Sequence, residues 1–435
     1  DWPTVRHDVR RSGYTPQPLD VSSLGLAWCW QSAHAPRPAW YGPAKQDAFA
    51  NIPALPSMRS YDLAFHVTAV GDQGFFGSSA DDAVYCLDAQ SGTERWSYVT
   101  DGPVRVAPTY ADGFFFFGSD DGYVYCLDSR DGHFIWKYSP AAEAPKILSD
   151  GRLISPWPCR TGVLVDQGVA YFANSLLPWK HSYLCAVDTG TGQPTDGKGY
   201  QQRLDGMTME GPMAASSELL ISPQGRVPPQ IFRRSNGENL GSVKGVGGGS
   251  VIVMAPDSTI FHGPAGSNQS RTGGIDASSA SKMEKLASYP QGKDIVIAGR
   301  RAFLLGQKTL TANDWVDRKM QWSSACEENL SLIVAGDTVV VGGEDMVAAY
   351  SAADGQRTWS HGIDGKAHGL AMAQGRLLVS TDTGAVYGFQ TGQPLSPTEA
   401  LAPYPSRESK LPTAEKSPES PLPLRLAAGP WLQFE

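Results

Sequence analysis

Two stretches of the chain decide its fold: D-A-V-Y-C-L-D-A-Q-S-G-T-E-R-W-S-Y (residues 82–98) and G-Y-V-Y-C-L-D-S-R-D-G-H-F-I-W-K-Y (residues 122–138). The second begins forty residues after the first and repeats its V-Y-C-L-D run, its glycine and its tryptophan in register. A period near forty residues, with short apolar runs and a glycine turn before each tryptophan, is typical of a β-propeller blade. The pattern predicts an all-β ring of repeated sheets.

Each repeat reads as four strands joined by tight turns. In the second repeat the strands are predicted over residues 104–111, 114–119, 123–128 and 134–138. Asp-Gly pairs between them supply the positive φ that tight hairpins require. In the third repeat an insertion, L-L-P-W-K-H (residues 176–181), replaces the acidic turn and predicts a blade with an enlarged loop.

The last repeat stops before its fourth strand, and the missing strand is found near the N-terminus. There Trp28 has the spacing at which Trp136 and Trp359 stand in their repeats. We predict that a strand around Leu26 to Trp30 completes the final blade and closes the ring non-covalently. Roughly 330 residues at about forty per repeat give about eight blades, with seven as the alternative count.

Composition shifts divide the chain further. The predicted segments are a lead-in with the ring-closing strand (1–32), a long insertion or lid loop (33–65), the blades (66–392), and a Pro/Ser/Glu-rich linker (393–423). Residues 424–435 are expected to be either a truncated strand or a docking tail.

Charge and hydropathy exclude several classes of function. The net charge is −8 and no block of Lys or Arg appears, which argues against nucleic acid as a main partner. No apolar run approaches the roughly eighteen residues that span a bilayer, so no transmembrane segment is expected. No signal peptide is found in the sequence, which starts at Asp1; this start is compatible with export, and we expect an exported protein, periplasmic or associated with the cell envelope.

The six cysteines look like packing residues, and no metal site is predicted. Three of them occupy the same place in successive third strands: Cys86, Cys126 and Cys185. A redox or ligand role stays open for the scattered ones: Cys29, Cys159 and Cys326. The acidic turns recur between second and third strands, which indicates turn chemistry and not calcium.

Aligning the repeats brings charged residues to one place on the axis. Arg105 and Arg160 fall just before their inner strands, and Glu210 and His368 fall in or near the corresponding region of later repeats. Two arginines there could grip a carboxylate, a phosphate or an acidic side chain. The alternative, which we favour, is that they pair with Glu210 and line a solvated channel. Two further side chains are candidates for the same mouth: Trp157 and Arg226.

The insertion is a second candidate region, because loops on rigid scaffolds often carry function. Aromatic and cationic side chains concentrate in it and just after it: Trp40, Tyr41, Lys45, Arg59, Tyr61 and His66. It is expected to be either a recognition loop or lid over the ring's mouth, or a structural belt over blade edges.

The V-Y-C-L-D-x-x-x-G-x-x-x-W unit resembles the repeat of the quinoprotein-dehydrogenase-like propellers, known as PQQ-like repeats, which are typically eight-bladed. The opening W-P-T-V-R-H-D-V-R-R-S-G (residues 2–13) resembles the lead-in of exported planctomycete-type bacterial proteins of this group. The resemblance covers roughly residues 1–395. It implies a propeller that serves quinoprotein enzymes, a non-enzymatic outer-membrane assembly lipoprotein and other proteins alike.

The chain departs from the enzymes of this group where their chemistry lies. Quinoprotein alcohol dehydrogenases carry two adjacent cysteines beside the quinone and a carboxylate and amide set that holds calcium or a lanthanide. No two cysteines are adjacent here and no matching set is found. Neither a nucleophilic triad nor a phosphate loop is present, so we predict no catalytic residue and no cofactor, with PQQ plus calcium as the alternative.

The end of the chain, L-R-L-A-A-G-P-W-L-Q-F-E, is similar to the first strand of the fibronectin-like domain that precedes purple-acid-type metallophosphatases. This likeness implies a fused downstream domain, or another protein, as partner. The predicted function is a non-catalytic exported scaffold for protein interaction or ligand recognition. The alternatives are a degenerate PQQ-dependent oxidoreductase with its cofactor in the axial funnel, and a subunit of a membrane or electron-transfer assembly.

Overall fold

The computed structural model describes residues 1–39, 60–149, 151–195, 197–264 and 274–392. Most of the insertion and the predicted linker and tail (393–435) lie outside the described residues, as do four candidate recognition residues: Trp40, Tyr41, Lys45 and Arg59. The predicted segment boundaries stay predictions. Within the described part the ordered elements are β-strands without an α-helix, and none of it forms an apolar helix long enough to cross a bilayer.

The strands of the first half are β1 (Tyr14–Thr15), β2 (Leu24–Gln31), β3 (Val67–Val70), β4 (Gln73–Ser78), β5 (Ala83–Asp88), β6 (Glu94–Val99), β7 (Thr109–Ala111), β8 (Phe114–Gly118), β9 (Val124–Asp128), β10 (Phe134–Tyr138), β11 (Ile147–Ser149), β12 (Arg152–Ile154), β13 (Leu164–Asp166), β14 (Val169–Asn174), β15 (Ser182–Asp188) and β16 (Tyr200–Leu204).

The strands of the second half are β17 (Ala214–Ala215), β18 (Leu219–Gln224), β19 (Val227–Arg233), β20 (Asn239–Ser242), β21 (Val251–Met254), β22 (Thr259–Gly263), β23 (Ile275–Ser279), β24 (Glu284–Tyr289), β25 (Asp294–Ala298), β26 (Arg301–Leu305), β27 (Thr309–Asp314), β28 (Lys319–Ala325), β29 (Ser331–Ala335), β30 (Thr338–Gly342), β31 (Glu344–Ser351), β32 (Arg357–Ala373), β33 (Arg376–Thr381) and β34 (Ala385–Thr391).

Consecutive strands pair antiparallel into four-stranded sheets. The described residues form six such sheets, a two-stranded hairpin of β11 and β12, and one eight-stranded sheet of order β1-β29-β30-β31-β32-β33-β34-β2. In the eight-stranded sheet, β32 pairs with β31 through its first part and with β33 through its second. The predicted all-β propeller of four-stranded sheets is confirmed, and the number of blades stays a prediction.

The predicted ring-closing strand is confirmed. Strand β2 pairs antiparallel with β34, and Trp28 lies opposite Gly388. A Cβ atom on Gly388 would lie 2.0 Å from the indole of Trp28, so only glycine fits beneath this ring. The last sheet is thus completed by a strand from the other end of the chain.

At four of the junctions between neighbouring sheets, the tryptophan of an outermost strand packs on the turn glycine of the next sheet. The indole N–H of Trp96 donates to the carbonyl of Ser129 at 3.0 Å. The turn glycine Gly132 packs on the same ring, where an added Cβ would lie 2.7 Å from an indole carbon. The arrangement recurs for three other pairs: Trp28 with Gly92, Trp136 with Gly192, and Trp322 with Gly355. The repeat motif therefore encodes the contact between neighbouring sheets.

The first strand of the second repeat is shorter than the sequence pattern predicts. Residues 104–111 were expected to form one inner strand, but β7 comprises only Thr109–Ala111. Pro108 lacks an N–H for the ladder, which ends regular pairing at this residue. The hairpin of β11 and β12, in the connection after β10, was not predicted.

The cysteines pack as expected. Cys86, Cys126 and Cys185 are fully buried in the cores between sheets, and all six thiols are free. Burial raises the pKa of each thiol, to about 12 for Cys159 and Cys326 and to about 11 for Cys29. Raised pKa values keep these thiols protonated and unreactive at neutral pH.

The two ends of the ring are distinguished by strand direction. The first strands of neighbouring sheets contact one another around the axis, for example β3 with β7, β17 with β21 and β25 with β29. We call the end at which these inner strands begin the entry mouth, and the end at which they finish the exit end. Because the strands alternate in direction, the connection between second and third strands also opens on the entry mouth.

Candidate functional site at the entry mouth

A buried group of charged side chains lies at the entry mouth, with Asp120 at its centre. Asp120 follows β8, and it accepts hydrogen bonds from Arg105 Nε at 2.6 Å, Arg160 Nε at 2.8 Å and Arg160 Nη2 at 2.9 Å. Both arginines stand four residues before an inner strand, which aims them at the axis. The Asp120 side chain is 1% exposed and those of Arg105 and Arg160 are 7% and 4% exposed.

Arg105 also holds the insertion on the mouth. Its Nη1 donates to the carbonyl of Arg37 at 2.6 Å and to Asp62 Oδ2 at 3.1 Å. The same Asp62 oxygen accepts from the backbone N–H of Ala39 at 2.6 Å. One guanidinium group therefore joins both described ends of the insertion to the sheets beneath.

Glu210 joins the group from the next repeat. Its Oε1 lies 3.6 Å from Arg160 Nη1, and the backbone N–H of Gly211 donates to the Arg160 carbonyl at 2.8 Å. The expected pairing with Glu210 is therefore present, but Asp120 is the main partner of both arginines. The expectation of a solvated channel lining is wrong, because these side chains are buried.

The arginines and the burial act on the carboxyl groups in opposite directions. Burial favours the neutral form of Asp120, but Arg160 and Arg105 outweigh it and the pKa of Asp120 lies below its usual value. For Asp62 burial outweighs Arg105, and its pKa lies above the usual value. Both guanidinium groups are thus engaged by carboxylates of the chain itself.

Two candidate histidines lie where the first and last sheets meet. His66 immediately precedes β3, and His368 lies in the second part of β32. Burial lowers the pKa of each imidazole to about 4, and His368 adds to the effect on His66. Both rings are therefore neutral at pH 7, and hydrogen bonding to the Ser60 backbone opposes the shift at His66.

The described end of the insertion crosses the mouth. Ser60 Oγ and Ser250 Oγ lie 2.8 Å apart, which joins the insertion to the start of β21. Tyr61 is buried beside this contact, and Asp62 is held by Arg105 on the other side. Residues 60–66 thus pass over the axis before the chain enters β3.

Trp157 belongs to an aromatic group at the enlarged loop between β14 and β15. Its ring centroid lies 4.9 Å from that of His181, and Lys180 Nζ lies 5.4 Å from it. The indole N–H donates to the His181 carbonyl at 2.6 Å, and His181 Nε2 lies 2.9 Å from the Tyr183 hydroxyl. Arg226 is half-buried in the turn between β18 and β19.

Asp120 and Asp62 are the site residues that the sequence pattern did not single out. The run D-D-G after β8 (residues 120–122) has the composition of a hairpin turn, but only its second acid, Asp121, has an acidic counterpart in the first repeat. Tyr85 and Tyr125 donate their hydroxyls to Asp81 and Asp121, so these two acids are equivalent and Asp120 corresponds to Ala80. This unmatched acid is the available signal, and it appears only when the two repeats are aligned at V-Y-C-L-D.

Comparison with known proteins assigns the family. The sequence profile of the family described as "Outer membrane protein assembly factor BamB" matches residues 29–270, more than half of the chain. The chain belongs to this family. No curated protein sequence matches it.

Solved structures share the fold at low identity. A quinohemoprotein alcohol dehydrogenase from Comamonas testosteroni is 14% identical with a TM-score of 0.62, covering 91% of this chain and 82% of that one. Quinohemoprotein alcohol dehydrogenase ADHIIG from Pseudomonas putida HK5 is 12% identical with a TM-score of 0.62, covering 93% and 82%. A europium-containing methanol dehydrogenase is 12% identical, again with a TM-score of 0.62, covering 89% and 98%. At these identities the likeness is one of fold.

The residues at the entry mouth do not fit a quinone cofactor of the PQQ type. Such a quinone carries carboxylates that need cationic partners, whereas Arg105 and Arg160 already face Asp120, Asp62 and Glu210. The chain has no adjacent cysteines. Among the residues that the structure describes, no three His, Cys, Asp or Glu side chains are grouped closely enough to hold a metal ion.

Proposed function

We propose that this chain is a non-catalytic, exported propeller that recognises another protein or a ligand through its entry-mouth face. One observation carries the proposal: at this mouth the chain's own carboxylates engage Arg105 and Arg160, and Arg105 uses this arrangement to hold the insertion over the axis. A funnel built for an anionic cofactor would leave its cations available. A recognition loop needs to be held in place on the ring, and Arg105 holds both described ends of the insertion through its hydrogen bonds to Asp62 and to the Arg37 carbonyl.

Three long connections open on the same face. They are the insertion before β3, the connection between β10 and β13 that carries the β11–β12 hairpin, and the enlarged loop between β14 and β15. The minimal repeat needs none of them, since the turn between β4 and β5 has only four residues. Loops added on one face of a rigid scaffold are typical of a recognition surface.

Large apolar side chains are exposed on these connections. Leu148 and Leu153 lie directly opposite one another on the hairpin and are 74% and 61% exposed. Trp179, in the enlarged loop, is 77% exposed beside Lys180. Exposed aromatic and aliphatic groups on one face favour protein contact, because they bury apolar area when a partner binds.

The family gives this proposal its cellular setting. Its name refers to the assembly of outer-membrane proteins, and we infer that the chain is exported and that its partner is a protein of the envelope or a fused downstream domain. We propose that it acts without a bound cofactor. The lead-in's likeness to planctomycete-type proteins and the tail's likeness to a phosphatase-associated domain stay predictions.

Site-specific photocrosslinking in producing cells tests the recognition face. A photoreactive phenylalanine replaces Leu148 or Trp179 at the entry mouth, and Val316 in the turn between β27 and β28 serves as the matched exposed site at the exit end. We expect one discrete crosslinked protein from the first two positions and none from the third. Equal crosslinking from all three, or crosslinking from Val316 alone, overturns the proposal.

The shared fold with quinohemoprotein alcohol dehydrogenases defines the competing function, a PQQ-dependent oxidoreductase. Incubation with PQQ and calcium, followed by gel filtration, shows whether a chromophore co-elutes, and a dye-linked assay measures alcohol oxidation. Our proposal expects neither signal. If one PQQ per chain co-elutes and the dye is reduced in the presence of alcohol, the proposal is wrong and the protein is a PQQ-dependent oxidoreductase.

A further inference from the structure

The lead-in, residues 1–17, lies across the exit end of the ring. Its backbone carbonyls accept hydrogen bonds from N–H groups in six inner strands, and it meets their sheets in chain order; the Trp2 N–H also donates to the Ala69 carbonyl. The contacts are Trp2 with Ala69 of β3, Pro3 with Tyr110 of β7, Val9 with Ala215 of β17, Arg10 with Met254 of β21, Ser12 with Ile297 of β25, and Gly13 with Val334 of β29, with N···O distances of 2.6–3.0 Å.

The two ends of the lead-in meet, so the segment encircles the axis. The backbone nitrogen of Asp1 lies 2.5 Å from Gln17 Oε1, and the Asp1 carboxylate accepts from the backbone N–H of Gly71 at 3.1 Å. Strand β1, within the lead-in, pairs parallel with β29. The circle is closed before the chain leaves for β2.

Two side chains anchor the lead-in inside the ring. Arg11 is 1% exposed; its guanidinium donates to the Met213 carbonyl at 2.7 Å and to Thr4 Oγ1 at 2.8 Å. Arg6 Nη1 donates to the buried Asp294 at 2.8 Å. Buried charged groups of this kind are costly to leave unpaired, so each fixes the position of the segment.

These contacts are those of a peptide in a binding site. The inner strands offer backbone N–H groups to whichever extended segment lies there, and the pockets filled by Trp2 and Arg11 select its side chains. We propose that the exit end is a peptide-binding site that the lead-in occupies in cis, and that this clasp closes the ring independently of β2. The ligand class is an extended segment that contains a Trp-Pro pair and an arginine nine residues after the tryptophan.

The inference concerns the end of the ring opposite the recognition face, so the two proposals can fail separately. Its test uses the full chain with a protease recognition sequence inserted between Gln17 and Pro18, both exposed. After cleavage, native gel filtration followed by mass spectrometry measures how much lead-in peptide stays with the ring. We expect it to co-elute, and Arg11→Met to release it at least ten times faster.

Arg10→Met is the matched control, because Arg10 adjoins Arg11 but its side chain is exposed. It should retain the peptide as the parent does. Immediate loss of the peptide from the nicked parent, or equal retention by both variants, overturns the proposal.

A measurement on the uncut chain covers the case in which the nicked ring unfolds. Hydrogen–deuterium exchange follows the backbone amides of Ala215, Met254 and Val334, which donate to the lead-in. We expect at least tenfold faster exchange at all three in Arg11→Met than in Arg10→Met. Unchanged exchange contradicts a clasp.

Discussion

Replacing Asp120 with asparagine removes the negative charge that the two buried arginines share. The carboxylate accepts three guanidinium hydrogen bonds of 2.6, 2.8 and 2.9 Å. An amide keeps one acceptor oxygen but turns an NH₂ group towards the donors. Removing one partner of a buried ion pair costs about 3–5 kcal/mol, because the remaining charge stays buried without compensation.

The same magnitude predicts a measurable change in melting temperature. With an unfolding entropy of about 2 cal/mol/K per residue over a ring of this size, about 3–5 kcal/mol corresponds to roughly 4–6 °C. Differential scanning calorimetry at pH 7 measures the shift. Asp131→Asn is the control, since Asp131 lies exposed in a turn and accepts a backbone N–H from His133, and it should melt within about 1 °C of the parent.

Added oxalate distinguishes a structural ion-pair group from a ligand site. In Asp120→Gly, which removes the volume of the carboxylate together with its charge, 10 mM oxalate should bind between Arg105 and Arg160 and raise the melting temperature by mass action, about 1 kcal/mol for a Kd of about 2 mM. The parent protein should show no shift. An Asp120→Asn protein as stable as the parent, or an equal rise for the parent in oxalate, refutes the reasoning about this mouth.

Three further outcomes follow from the packing and the titration of the ring. Gly132→Ala should lower the free energy of unfolding in urea by about 1–3 kcal/mol more than Gly113→Ala does. Both glycines have positive φ, but only at Gly132 does the added Cβ meet an indole. Equal losses contradict the contact between Gly132 and Trp96. Trp28→Ala should lose about 3–5 kcal/mol, whereas the exposed Trp179→Ala stays within about 0.5 kcal/mol. Burial lowers the pKa of His262 to about 4, so as pH falls below about 6.5 the unfolded chain takes up a proton on this residue before the folded chain does. His262 therefore lowers the free energy of unfolding by about 2 kcal/mol between pH 7 and 5. His262→Gln should remove this part of the dependence of unfolding free energy on pH, and an unchanged dependence is the contrary result.

Much of the fold could be predicted because the residues that make the packing contacts belong to the repeat motif itself. V-Y-C-L-D alternates residues between the two faces of a strand, and the glycine and tryptophan that follow form the contact between neighbouring sheets. The closing strand could be found because Trp28 completes the same motif. The short β7 could not be placed as accurately, since a run such as P-V-R-V-A-P looks extended whether or not its backbone is paired.

The candidate site was predicted only in part. Arg105, Arg160 and Glu210 each stand four residues before an inner strand, and equivalent positions in a ring come to the same mouth. His368 was aligned with them but lies within β32. Asp62 escaped notice because it lies in the insertion, outside the repeat, and no sequence spacing relates it to the axis. Its role depends on a contact with Arg105 across 43 residues.

The sequence by itself determined that this chain is a ring of four-stranded sheets, because strand alternation, glycine turns and tryptophan spacing are local properties that repeat. Only the tertiary structure decided what the ends of the ring contain. The partners of an arginine depend on which residues from other repeats, from the insertion and from the lead-in reach it in space. Asp120 thus became the centre of a buried ion-pair group, and the lead-in became a circle across the exit end.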